Sequence, residues 1–280
     1  MASYAFPNVL VETGWVEEHL DDPDVRLVES DEDPSLYVAG HIRNAIPLHW
    51  KNDLQDPVIR DWVTREQFGR ILGERGFSPT STVVFYGDRN NWFATYAFWL
   101  FKYYGHEDAR ILNGGRDKWI KEGRPLVTER PRFQAADYTA KEPDRSIRVL
   151  RDELLSKVEK RAVALVDVRS PKEYSGELIA PEAYPQEGAQ RGGHIPGALN
   201  ISWGQNVTED GTFKAREELE KLYAPLGVTW DKEVVAYCRI GERSSIAWFA
   251  LKFLLGYERV KNYDGSWTEW GSLVAAPIER

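Results

Sequence analysis

Val234-Val235-Ala236-Tyr237-Cys238-Arg239-Ile240-Gly241-Glu242-Arg243-Ser244 decides the reading of this chain. Four apolar residues suit a short buried strand of a parallel sheet. A polar, glycine-containing loop follows, and a helical pattern runs from Ser245 to Leu254. The same strand is written once before, as Val83-Val84-Phe85-Tyr86, and there the next residues are Gly87-Asp88-Arg89-Asn90-Asn91-Trp92. With Tyr86 laid on Tyr237 and no gap, Gly76 meets Gly227, Phe98 meets Phe249 and Leu100 meets Leu251. The match continues through Gly105 on Gly256, Glu107 on Glu258, Gly114 on Gly265 and Trp119 on Trp270. Upstream, Gly40-His41-Ile42 with Ala45 and Trp50 recurs as Gly193-His194-Ile195 with Ala198 and Trp203, and Val25–Val28 resembles Val163–Val166. Three blocks in one order indicate a duplicated unit. The second copy carries an insertion around Ile179 to Arg191.

Each copy alternates strand and helix, which predicts α/β architecture: two similar domains, each a parallel sheet with helices on both faces. Strands are expected at Val25–Val28, Ala45–Leu48 and Val83–Tyr86. Thr64 and Gln67 have capping-box spacing for a helix that stops near Gly76. Ala94–Tyr104 is an aromatic helix pattern closed by Gly105. Residues 126–146, rich in proline and charge, are expected to link domains at 1–125 and 147–280.

Composition narrows the function. Hydrophobic residues make up 42% and charged residues 29%, the balance of a globular chain. A net charge of −8 makes nucleic acid a poor partner. The longest apolar stretch, near Trp92 to Phe101, is too short to span a membrane. The N-terminus has no signal-peptide pattern, so the expected location is cytoplasmic. One cysteine excludes an internal disulfide, and the five histidines show no ligand spacing, so no metal site is expected.

Cys238 is therefore the residue to explain. A lone cysteine is usually a small buried hydrophobe. This one stands at the carboxyl end of a buried strand and just before a helix, where open parallel sheets bind ligands. Inward-facing amides, the helix dipole, Arg239 and Arg243 should favour the thiolate, lowering the thiol pKa by about two units. Gly241 lets the backbone turn. In the first copy Gly87 replaces the cysteine, so one half is read as catalytic and the other as structural.

The loop Cys238 to Ser244 resembles the active-site loop of rhodanese-like sulfurtransferases. Gly192-Gly193-His194-Ile195-Pro196-Gly197-Ala198, Leu165-Val166-Asp167-Val168-Arg169 and Tyr263-Asp264-Gly265-Ser266-Trp267-Thr268-Glu269-Trp270 resemble further signatures of that family. Leu112-Asn113-Gly114-Gly115 is a degenerate version in the first copy. The resemblance implies a tandem-domain thiosulfate or 3-mercaptopyruvate sulfurtransferase working by double displacement without cofactor or metal. Cys238 would take the sulfane sulfur of thiosulfate as a persulfide, release sulfite, and pass the sulfur to cyanide, a dithiol or a thioredoxin-like protein. Arg239, Ile240, Gly241, Glu242, Arg243 and Ser244 would form the substrate-binding loop, with His194 structural. Mitochondrial thiosulfate-type loops begin Cys-Arg-Lys-Gly and mercaptopyruvate-type loops Cys-Gly-Ser-Gly, so Arg239 favours thiosulfate, although Ile240 departs from the lysine. Glu173 stands where those enzymes carry a substrate-binding arginine. It is expected to pair with Arg243 and orient the loop; the insertion Ile179 to Arg191 is either an ordinary surface loop or a cap on the cleft, with Arg191 lending positive charge. Two other readings are a cysteine phosphatase or arsenate reductase, whose Cys-x5-Arg loop is one residue longer than Cys238 to Arg243, and a non-catalytic sulfur-relay binding module.

Overall fold

The computed structural model describes residues 3–181, 183–184 and 188–280. The chain divides into two compact units. One comprises Pro7–Asp144 with Glu209–Phe213, and the other Arg145–Thr208 and Lys214–Arg280 with the start of the chain up to Phe6. No helix among the described residues is long and apolar enough to cross a membrane.

In the first unit five strands, β1 (Leu10–Val11), β2 (Val25–Glu29), β3 (Ala45–Pro47), β4 (Thr82–Tyr86) and β5 (Ala109–Leu112), form one sheet in the order β1-β5-β4-β2-β3. Every pairing is parallel. Its helices are α1 (Thr13–Glu18), α2 (Ser35–Ala39), α3 (Arg65–Glu74), α4 (Asp88–Tyr103) and α5 (Gly115–Lys121). Thr64 caps α3 through the full capping box with Gln67. The aromatic stripe Phe93, Tyr96, Phe98 and Trp99 is buried core. Residues 126–144 run along this unit rather than between units. Val127 N donates to His41 O, Ala136 N to Gly73 O and Lys141 N to Tyr104 O.

The second unit repeats the plan. Strands β6 (Arg148–Val149), β7 (Ala164–Asp167), β8 (Leu199–Asn200), β9 (Val234–Tyr237) and β10 (Val260–Tyr263) take the order β6-β10-β9-β7-β8, again all parallel. Helices α6 (Arg151–Glu159), α7 (Pro171–Ser175), α8 (Arg216–Tyr223), α9 (Glu242–Phe249) and α10 (Ser266–Trp270) complete it. The fully buried central strand β9 delivers its last residue, Tyr237, directly into the Cys238 loop. A π-helical turn, Ala250–Leu254, continues α9 and completes the expected helical stretch.

The same tie closes both copies. Tyr86 and Tyr237, each ending the central strand, accept the amides of Ile42 and Ile195 on their hydroxyls at 3.0 and 3.1 Å. His41 and His194 stack on Tyr37 and Tyr174 and hydrogen-bond the carbonyls of those tyrosines. Those histidines are structural.

The loop after β4 is where the copies part. Arg89, Asn90 and Asn91 all have φ between 49° and 69°, so it does not wind like the loop after β9. A Cβ on Gly87 would lie 2.1 Å from Ser30 O. Gly87→Cys therefore overpacks a closed turn. The variant is expected to lose about 1–3 kcal/mol in denaturant unfolding and to carry no second sulfur by intact mass.

Candidate active site

Cys238 follows β9, and its side chain is fully buried. Its backbone is held on two sides: Cys238 N donates to Ser266 Oγ at 3.1 Å, and Trp267 N donates to Cys238 O at 3.0 Å. Ser266 adopts φ 49°, a strained position for a side-chain-bearing residue. Its Oγ also donates to Tyr263 O at 2.7 Å, which fixes the hydroxyl as acceptor for the Cys238 amide.

Gly241 turns the loop with φ 100°, a conformation that strains any residue bearing a Cβ. The turn brings Gly241 N to 3.2 Å from the Cys238 sulfur, and Asn262 Nδ2 holds the Gly241 carbonyl at 2.9 Å. The sequence suggested several amides converging on the sulfur. Ile240 N is instead taken by Glu242 Oε2 at 3.2 Å.

Glu242 is the surprise of the loop. Fully buried, it receives the Cys238 thiol proton on Oε2 at 3.1 Å, and its Oε1 holds Arg239 at 2.9 Å. Arg243 makes a bidentate pair with Glu173, at 3.0 and 2.9 Å. Glu173 is placed by Ser170, the cap of α7, in a reciprocal capping box. The two guanidiniums thus each face a buried carboxylate, and the four charges cancel. Ser244 Oγ is buried on the sulfur's side of the loop, where its hydroxyl favours the charged form of Cys238. Ile240 lies buried beside them.

This corrects the expected electrostatics of the nucleophile. Burial pushes the Cys238 thiol up from its ordinary value and the Glu242 carboxylate pushes the same way, while Arg243 and the Ser244 hydroxyl oppose them only in part. The net shift runs toward the thiol rather than the thiolate. Burial alone would raise Glu242 too, but Arg239 and Arg243 outweigh it and hold the carboxyl below the usual range. Burial likewise opposes ionisation of Glu173, yet Arg243 and the Ser170 cap bring it down to about 2.

Arg191 lends no charge to the loop. Its guanidinium donates to the carbonyls of Trp270, Gly271, Leu273 and Ala276, at and beyond the end of α10. It braces the helix that carries Ser266. From the rest of the insertion, Tyr184 sets its ring 4.5 Å from the Arg239 guanidinium. Residues 182 and 185–187 of the same segment lie outside the described residues. Sequence reasoning missed Ser266 and Asn262. The signal for Asn262 was a polar residue in an inner strand where the first copy has Ile111.

A profile of the "Rhodanese-like domain" family matches residues 12–122 and 150–273, and the chain belongs to that family. It is 58% identical to the "Sulfur carrier protein TtuD" of Thermus thermophilus over 99% of this chain and 98% of that one. It is 56% identical to a Mycolicibacterium smegmatis protein named "Putative thiosulfate sulfurtransferase", over 97% of this chain and 98% of the relative. Among solved structures, the anaerobic ergothioneine biosynthesis enzyme of Chlorobium limicola, with its natural substrate trimethyl histidine, superposes with a TM-score of 0.86. It is 28% identical over 100% of this chain and 72% of that one. A structure of EanB with a cysteine persulfide fits with the same TM-score, identity and coverage.

The Glu173–Arg243 pair makes a prediction about acid stability. A carboxyl brought from its ordinary 4.5 to about 2 adds stability that is complete above the ordinary value and lost as pH falls toward about 2. Glu173→Gln is expected to cost about 3–5 kcal/mol near neutral pH, because Arg243 is left buried without its carboxylate. It should also flatten the acid limb of a stability-versus-pH curve measured by urea unfolding.

Proposed function

We propose that this protein is a sulfurtransferase that carries sulfane sulfur as a persulfide on Cys238, with thiosulfate as donor and sulfite as first product. The observation that supports the reading most is the placement of the chain's single thiol. It sits in a turn at the end of a central parallel strand, with one amide already on the sulfur and two arginines folded in beside it. The names of the relatives point the same way, as does the persulfide in the EanB neighbour.

In this reading the donor's sulfane sulfur is attacked by Cys238 Sγ, and sulfite leaves. Gly241 N then faces the inner sulfur of the persulfide. The Ser244 hydroxyl, which already favours the charged form of the sulfur, supplies a second donor. Arg239 and Arg243 orient the loop through their carboxylates. A small nucleophile such as cyanide, a dithiol or a thioredoxin-like protein removes the outer sulfur and regenerates the thiol. Arg239 favours thiosulfate over 3-mercaptopyruvate, a donor whose recognition the sequence ties to a loop without that arginine.

Incubation with thiosulfate is expected to add the mass of one sulfur atom to the intact protein, and cyanide should remove it with stoichiometric thiocyanate. Cys238→Ser should show neither. In steady state kcat/KM for thiosulfate should exceed that for 3-mercaptopyruvate. The reverse order would move the donor assignment to mercaptopyruvate, and a wild-type protein that gains no sulfur would remove the reading altogether.

A further inference from the structure

The proposed transfer starts from a thiol whose proton must go somewhere, and among the described residues the carboxylate in contact with it is Glu242. We propose that Glu242 is the catalytic base of this site, taking the Cys238 proton as sulfur is captured and returning it to the departing sulfite. The inference rests on the sulfurtransferase reading and assigns a second reacting group to it.

The geometry carries the argument. Glu242 opens α9 immediately after the Gly241 turn, so the loop that aims the sulfur also aims the carboxylate. Cys238 Sγ lies 3.1 Å from Glu242 Oε2, within the reach required of a general base. The carboxylate cannot swing away easily: Ile240 N holds Oε2, and Arg239 holds Oε1 through both its Nε at 3.1 Å and a terminal nitrogen at 2.9 Å. Both groups are fully buried, which favours a base within the site over bulk water. In the first copy, where no thiol needs deprotonation, the aligned position is Asn91. Its amide closes the turn by accepting from Gly87 N and donating to Leu112 O. An amide serves for structure there; a carboxylate stands where the sulfur does.

The step balances. The Cys238 S–H bond breaks, its proton moves to Glu242 Oε2, and the sulfur's electron pair forms a bond to the sulfane sulfur of thiosulfate. The donor's S–S bond breaks with its electron pair going to sulfite, which accepts the proton from Glu242. One thiol and one thiosulfate dianion become one persulfide anion and one hydrogensulfite, with no oxidant or reductant required.

Among the described residues, charged groups face Glu242 from several elements. Arg239 and Arg243 face Glu242 from the loop and from α9, and Glu173 of α7 stands behind Arg243. Asp264, paired with Arg148 of β6, lies beside Gly241 from the β10–α10 connection. The arginines keep Glu242 ionised and lower its hold on a proton, so a proton taken from the sulfur is passed on to sulfite rather than kept; the carboxylate in turn favours the protonated sulfur.

The test compares two curves on the intact protein: the single-turnover rate of persulfide formation with thiosulfate, and the thiolate ultraviolet absorbance, each against pH. With an internal base the wild-type rate stays level between about pH 6 and about pH 9 while little thiolate is present. In Glu242→Gln the thiolate midpoint should shift down by about one unit or more, because the arginines lose their anion. Its rate should then rise about tenfold per pH unit below that midpoint, following the absorbance. A wild-type rate that itself climbs in step with thiolate absorbance overturns the proposal, as does a Glu242→Gln profile as level as the wild type. The wild-type comparison decides the matter even if the variant folds poorly. Persulfide that forms without the level profile removes the base alone, whereas absence of any persulfide removes the sulfurtransferase reading beneath it.

Discussion

Two buried guanidinium–carboxylate pairs, Arg243 with Glu173 and Arg239 with Glu242, set the character of this site. Desolvating four charges is costly, and such pairs persist only where geometry and further hydrogen bonds compensate. Here Ser170 orients Glu173, Ile240 N orients Glu242, and the Glu173 pair ties α7 to α9 across the sheet's carboxyl edge. The cancellation explains why a thiol next to two arginines rests protonated. It also explains how a chain of net charge −8 can present positive groups locally without an open positive field.

The first unit keeps the framework without the thiol. Its sheet order, central-strand tyrosine and stacked histidine match the second unit. The clasp below the loop is rebuilt from different positions. Arg169 joins Asp167 to the Gly193 carbonyl in one unit, whereas Arg116, reaching from α5, joins Glu29 to the Gly40 carbonyl in the other. A guanidinium bridging a strand carboxylate to the glycine of the Gly-His-Ile turn is thus common to both units. The thiol, Glu242 and Arg243 are replaced by Gly87, Asn91 and Trp92.

Much of this was legible from sequence, for physical reasons. Duplication, parallel sheets and the place of Cys238 follow from apolar runs, glycine stops and the strand-to-helix switch. The Glu173–Arg243 contact could be anticipated because an acid replaced a basic residue opposite a buried arginine. The sign of the thiol shift could not. Counting Arg239 and Arg243 as neighbours in sequence ignored that Glu242, also in the loop, would turn inward and cancel one of them. Arg191 was misjudged because a guanidinium serves main-chain carbonyls as well as it serves anions, and only the path of residues 271–276 shows which. Ser266 was hidden because its role depends on a positive φ that no residue pattern announces.

The central claim, a resting thiol hydrogen-bonded to a carboxylate, can be read directly because the chain has one cysteine. Its infrared S–H stretching band lies in a window clear of other protein absorption. The account predicts a single band at neutral pH, lowered in frequency by the bond to Glu242, absent from Cys238→Ser and moved to higher frequency in Glu242→Gln wherever that variant retains its thiol proton. A wild-type spectrum with no S–H band at neutral pH would mean a resting thiolate and would contradict it.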